Sequence, residues 1–124
     1  MEVMPILFFS LPGLGGNGAR VYQCISCRHM ITHSDKLLFI MGSNRHMRIN
    51  PQGIECDFHT FSVCPGAIPL GEPTLAHTWF DGYTWQLALC RFCGQHLGWY
   101  YQSLSESQSP RDFWGLLINA LYMR

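Results

Sequence analysis

Apolar and polar residues alternate with a period of two along much of this chain, and turn-forming residues interrupt the alternation before any early run reaches helical length. The runs are Ala19 to Cys24, Lys36 to Met41, Ile54 to Val63, Thr84 to Cys90, Leu97 to Gln102 and Phe113 to Met123. Asn50-Pro51-Gln52-Gly53 is a turn signal immediately before the third run. Short strands in antiparallel order follow from this pattern. The last run is open between two readings. Phe113, Leu116, Leu117, Ala120 and Leu121 fit one face of a helix, whereas Trp114-Gly115 and the preceding Ser109-Pro110 fit a strand. Residues 64–78 hold Pro65, Gly66, Pro69, Gly71 and Pro73, and so many breakers predict a loop without regular structure.

Length adds a bound: 124 residues suit one domain with one main core. Leu11 to Ala19 is glycine-rich without periodicity and lacks the Lys-Ser/Thr of a phosphate loop, so residues 1–19 read as a flexible lead-in and 20–124 as the domain. A hydrophobic content of 48% supplies enough apolar surface to offset chain ordering. Eight Lys and Arg balance eight Asp and Glu, so the chain lacks the basic field that nucleic acid or an anionic membrane attracts. No apolar run has the length of a membrane-spanning helix. Glu2 precedes the first apolar residues and no Lys or Arg occurs before Arg20, the wrong sign for a secretory leader, which makes a cytoplasmic location the expectation.

Six cysteines are present, and four of them form two CxxC pairs, Cys24/Cys27 and Cys90/Cys93. Two such pairs put four thiolates on one ion, and tetrahedral sulfur is a geometry that zinc accepts at no electronic cost. A four-thiolate shell leaves no position for water, so the ion is structural. Gly94, following Cys93, suits the positive φ of a knuckle turn. Redox CxxC motifs need a thioredoxin-like strand–helix context, which is absent. His29 and His96 lie near the knuckles as surface or outer-sphere residues, while Cys56 and Cys64 read as small buried apolar side chains.

Three of the four tryptophans, Trp79, Trp85 and Trp99, fall within residues 77–101, around the second CxxC. The Asp81-Gly82 turn lets Trp79 and Trp85 stand opposite each other, and Trp99 and Tyr101 share one face of a strand. Packing in the core is the plain reading of such a cluster. Its place in and beside a turn favours a second one, a rigid apolar enclosure for a compact flat ligand.

The run HTWFDGYTW, the CxxC and HLGWYY that follow it, the INPQG at 49–53, the first CxxC and the FWGL at 113–116 together resemble the CULT domain, the thalidomide-binding zinc domain known from cereblon and from stand-alone bacterial homologues. The resemblance covers about residues 20–121. Without a preceding protease-like domain or a helical adaptor-binding region, the chain looks most like the single-domain bacterial form. The resemblance implies an all-β fold, the β-tent, in which two antiparallel sheets meet at an angle and a four-cysteine zinc site pins them. Carried over by position, Trp79, Trp85 and Trp99 are the cage walls, with Tyr101 at the edge and Asn50 and Pro51 on the bordering loop. His77, Thr78 and Trp79 are the segment whose backbone addresses an imide, the His77 carbonyl accepting from its N–H and the Trp79 amide donating to a carbonyl. The implied ligands are thalidomide-type glutarimides, other cyclic imides, uracil-like rings, and a cyclic imide at a protein C-terminus.

Two other functions compete. An aromatic cage for a methylated amine draws on the ring quadrupole and on nearby anions, for which Asp81 and Glu72 are the candidates. A B-type methionine sulfoxide reductase on a related zinc-pinned fold needs an activated cysteine outside the zinc shell, and neither Cys56 nor Cys64 lies in a matching context. The expectation is a binding domain and not an enzyme.

Overall fold

A computed structural model describes residues 18–124, so most of the expected lead-in lies outside the described residues. Among the described residues nine strands form two antiparallel sheets and there is no α-helix. In chain order the strands are β1 (Val21–Cys24), β2 (Met30–His33), β3 (Arg45–Ile49), β4 (Glu55–Phe61), β5 (Ala67–Thr74), β6 (Tyr83–Cys90), β7 (His96–Ser103), β8 (Asp112–Leu117) and β9 (Leu121–Met123). The small sheet has the order β9-β1-β2 and the large one β3-β4-β8-β7-β6-β5. The all-β, two-sheet expectation holds.

Alternation explains the central strands. In β4, Cys56, Phe58 and Thr60 are buried while Asp57 and His59 between them are half-exposed, and the β-branched and aromatic residues of β6 and β7 fit the same pleated surface. One core lies where the sheets meet and includes Tyr22 and Ile31 from the small sheet with Phe61, Ala88, Leu97 and Leu116 from the large one. A second cluster, with Phe58, Phe80, Tyr101 and Phe113 at its centre, carries Trp79, Trp85 and Trp99 against its side.

Several sequence expectations are corrected. Residues 64–78 are not an irregular loop, because β5 runs through them. It is an edge strand, where a proline lacking N–H costs no ladder bond, and the irregularity between Leu70 and Thr74 absorbs Gly71 and Pro73. There Gln86 Nε2 donates to the Gly71 carbonyl at 2.8 Å and takes the place of a missing ladder bond. Residues 36–41 are not a strand. A 3-10 turn, Ser34–Lys36, leads into isolated bridges, Leu37 to Phe61 and Ile40 to Ser43, closed by positive φ at Met41 and Gly42. The last run is the strand β8, a 3-10 turn at Ile118–Ala120, and then β9, which deserts the large sheet to pair with β1. The strands β2 and β3 have no counterpart among the sequence runs.

At one point two strands approach as closely as backbones allow. A Cβ on Gly98 of β7 would overlap the Gly115 carbonyl of β8. Gly98→Ala is therefore expected to destabilise the domain by about 1–3 kcal/mol or more, because neighbouring main chain cannot yield as a side chain can. Urea unfolding of the zinc-loaded protein measures it.

Candidate functional site

Each CxxC is a strand end followed by a tight turn. Cys24 ends β1 and Cys90 ends β6. In the first knuckle the Arg28 amide donates to the Cys24 carbonyl at 2.9 Å, and in the second the Gly94 amide donates to the Cys90 carbonyl, also at 2.9 Å. The residue after the second cysteine has positive φ in both, 67° at Arg28 and 79° at Gly94. The backbone is therefore the same device twice, and glycine occupies the strained position only in the second.

The four sulfur atoms lie within 4.8 Å of one another. Cys24 Sγ to Cys93 Sγ and Cys27 Sγ to Cys90 Sγ are 3.6 Å each, against about 3.8 Å between thiolates on one tetrahedral zinc with bonds of about 2.3 Å. A disulfide requires about 2.05 Å, so these are free sulfurs at ligand spacing. One structural zinc ion fits the four, and each sheet supplies one strand-end cysteine to it. Ser26 Oγ donates to Gln95 Oε1 at 2.6 Å beside it, joining the two knuckles a second time.

His29 has a closer tie to the metal site than its sequence position revealed. Its Nδ1 lies 3.4 Å from Cys27 Sγ, and its ring stacks on Phe92 of the other knuckle with centroids 3.9 Å apart and an interplanar angle of 11°. Against a thiolate the Nδ1–H donates, which lowers the sulfur's charge and fixes the ligand's direction.

The remaining cysteines are buried and free. Burial pushes both thiols up, Cys64 far more than Cys56, so neither is a thiolate near neutrality.

The aromatic residues border a cavity of about 340 Å³, at the small end of the range of about 300–1,000 Å³ typical of small-molecule sites. Of the residues singled out from the sequence, Asn50, Pro51, His77, Trp79, Trp85, Trp99 and Tyr101 line it. Thr78 does not. Its hydroxyl donates to the Tyr83 carbonyl at 2.8 Å and holds the 78–83 turn together. Tyr101 contributes only an edge, being 1% exposed and stacked on Phe113 at 4.9 Å. Gln52 and His96 also line the cavity and were missed.

Local structure fixes each wall. Asn50 Oδ1 accepts from the amides of Gln52 and Ile54, at 3.0 and 2.9 Å, and Gly53 closes the turn with φ of 83°. Trp79 stacks on Phe58 at 5.6 Å and meets Trp99 edge-on at 5.0 Å. The Trp85 Nε1–H donates to the Ala76 carbonyl at 2.7 Å, which ties that indole to the loop holding His77. His96 lies near Trp99 with its Nε2–H directed to the Gly98 carbonyl at 2.9 Å. The wall carries no carboxylate, lysine or arginine. His77 has φ of 57°, and among the described residues neither its carbonyl nor the Trp79 amide has a hydrogen-bond partner.

The sequence pattern of the Yippee zinc-binding/DNA-binding and Mis18 centromere-assembly family matches residues 20–123. The chain belongs to the Yippee–Mis18 family. It is also similar to protein cereblon of Gallus gallus, 46% identical over 77 residues, which are 61% of this chain. Protein cereblon of Drosophila erecta is 34% identical over 100 residues, 77% of this chain. The matches span 17% of each of those relatives, so the chain corresponds to a small part of their length.

Two outcomes test the metal centre of this Yippee–Mis18 domain. Cys24→Ser or Cys90→Ser is expected to lose stoichiometric zinc and to unfold at markedly lower temperature, since metal binding contributes directly to folding. Metal content by mass spectrometry with a thermal melt measures both. His29→Ala is expected to keep the fold and to surrender zinc to a colorimetric chelator about tenfold faster, while Phe92→Leu, which keeps the Nδ1–H, has a smaller effect.

Proposed function

We propose that this domain is a non-enzymatic binding module for a neutral cyclic imide or uracil-like ring, held between Trp79, Trp85 and Trp99. The observation that carries this reading is that His77 and Trp79 both line the cavity while the carbonyl of the first and the amide of the second lack a partner among the described residues, in an enclosure walled by indoles and without a carboxylate, lysine or arginine. A ring imide or lactam holds its N–H and C=O side by side on one edge and can meet both. An open-chain secondary amide is trans, with N–H and C=O on opposite sides, and turning it cis costs about 2.5–4 kcal/mol. Once a ligand covers them, leaving either group unmatched costs about 1–3 kcal/mol. Glutarimides of the thalidomide type, uracil and a cyclic imide at a protein C-terminus all satisfy the pattern, and the similarity to cereblon supports it.

The competing readings draw less support. A methylated amine is held more strongly with an anion nearby, but Glu72 lies on the exposed part of β5 and Asp81 borders a separate recess with Phe39 and Gln108. The family description includes DNA binding, yet eight basic and eight acidic residues give no net attraction to phosphate. Reductase chemistry has no free thiolate among the described residues, because four cysteines are set for the metal and burial keeps Cys56 and Cys64 protonated.

Titration of intrinsic tryptophan fluorescence with glutarimide, uracil, N,N′-dimethylglutaramide and trimethyllysine tests the proposal. Glutarimide or uracil is expected to bind, N,N′-dimethylglutaramide and trimethyllysine at least about tenfold more weakly. Trp85→Ala and Trp99→Ala are expected to abolish ring binding, measured by calorimetry, while zinc content and melting cooperativity are retained. Preferential binding of trimethyllysine, or ring affinity unchanged in both variants, rejects it.

A further inference from the structure

As a terminal strand of the large sheet, β3 turns one row of backbone groups away from β4. The Asn50 amide donates to the Ile54 carbonyl and the Thr60 amide to the Asn44 carbonyl, at the two ends of the β3–β4 pairing. The hydrogen-bonded pairs therefore fall on even-numbered residues, and the outward groups belong to Arg45, Met47 and Ile49.

These outward groups are not equivalent. The Ser43 hydroxyl donates to the Arg45 carbonyl at 2.8 Å and accepts from the Arg45 amide at 3.0 Å. The Arg48 guanidinium donates to the Met47 carbonyl at 3.1 Å. Among the described residues nothing pairs with the Met47 amide or with either backbone group of Ile49. Side chains close the edge at its start and leave it open at its end, where it runs into Asn50 and Pro51 of the cavity wall.

Side chains on the strand divide in the same way. At the closed end Arg45 grips Asp57 through two bonds of 3.0 and 2.7 Å. At the open end Met47, Ile49 and Ile54 are 48%, 62% and 59% exposed. An uncapped stretch of edge strand flanked by exposed apolar side chains has the complementarity of an added strand.

We propose that, where the ring ends an extended peptide, the residues preceding it pair with the edge of β3 at Met47–Ile49. This rests on the ring-binding reading of the cavity and adds to it the path of the chain that carries the ring. The Ile49 carbonyl accepts an amide of the peptide and the Ile49 amide donates to one of its carbonyls. The peptide side chain on the face shared by Met47 and Ile49 is apolar. Main-chain pairing tolerates many sequences, so this one side chain and the ring set the choice of partner.

Calorimetry on the full, zinc-loaded chain tests it with three probes: N-acetylated aminoglutarimide, a four-residue apolar peptide ending in the same ring, and that peptide N-methylated at the residue paired with Ile49. The peptide is expected to bind about tenfold tighter than the acetylated ring, as two additional hydrogen bonds allow, and N-methylation to remove the gain. Ile49→Pro deletes an outward N–H that β4 does not use, so it is expected to lower peptide affinity towards that of the ring while leaving ring affinity unchanged. Equal affinity of peptide and ring, or a gain that survives both N-methylation and Ile49→Pro, overturns edge pairing and leaves the cavity reading intact. Failure of the acetylated ring itself to bind overturns both.

Discussion

Everything in this domain depends on the tie between its two sheets at four sulfurs. Domains of this size bury a modest fraction of their surface, and the small sheet, with three short strands, has little apolar area of its own to offer. Direct hydrogen bonds between the sheet regions are few, such as Thr32 Oγ1 to the Val63 carbonyl at 2.7 Å and the Gly66 amide to the Ile31 carbonyl at 2.9 Å. A metal that takes Cys24 from one sheet and Cys90 from the other fixes their mutual position with bonds far stronger than such contacts. It also anchors the strands that matter for the cavity. Trp85 and Cys90 stand five residues apart on β6, about 16 Å at strand rise, so metal and indole are two ends of one element.

The cavity wall and the core are not alternatives. Trp79 stacks on Phe58 and Trp99 meets the same ring edge-on, while Tyr101 stacks on Phe113 and Phe80 meets both of those edge-on. One face of each indole is held by packing while another borders the recess. A wall held from behind does not have to be ordered when a ligand arrives, and that saving is a large part of what makes a small site bind. The hydrogen bond from Trp85 to Ala76 serves the same end from the loop side.

Legibility in the sequence followed the range of the interactions. The cysteine spacings expose the metal site because each knuckle is local, and β4, β6 and β7 show in their alternation because one face of each is buried. Strand β5 was hidden because its prolines are tolerated only by virtue of its edge position, which depends on which strand it pairs with. Strand β3 was hidden because Arg45, His46 and Arg48 interrupt its apolar residues. In the site, the three indoles were readable from their clustering, and Gln52 adjoins the conspicuous Asn50-Pro51. His96 was not readable. Counting by twos from Trp99 puts it on the opposite face, but pairing shifts between Ala88 and Leu89, where Gly98 and His96 are their partners. That bulge breaks the alternation and returns His96 to the cavity. Thr78 shows the converse, a residue rightly placed in the segment whose hydroxyl is needed for the turn.

What the wall lacks is as selective as what it contains. With no ionic group lining the recess, a charged ligand leaves bulk water for indole faces without a counter-charge, a transfer that costs far more than stacking returns. A purely apolar ligand enters readily, yet it strips water from the His77 carbonyl and the Trp79 amide and restores nothing. On the proposed reading a neutral molecule with a donor and an acceptor on one edge avoids both penalties, and ring closure is what places them there. The positive φ at His77 belongs to the same logic, because it turns the chain between Ala76, which holds Trp85, and Trp79, which the ligand must meet. Strain at one residue thus sets the spacing between an indole wall and the backbone donor, and the zinc at the far end of β6 keeps the other side of that spacing fixed.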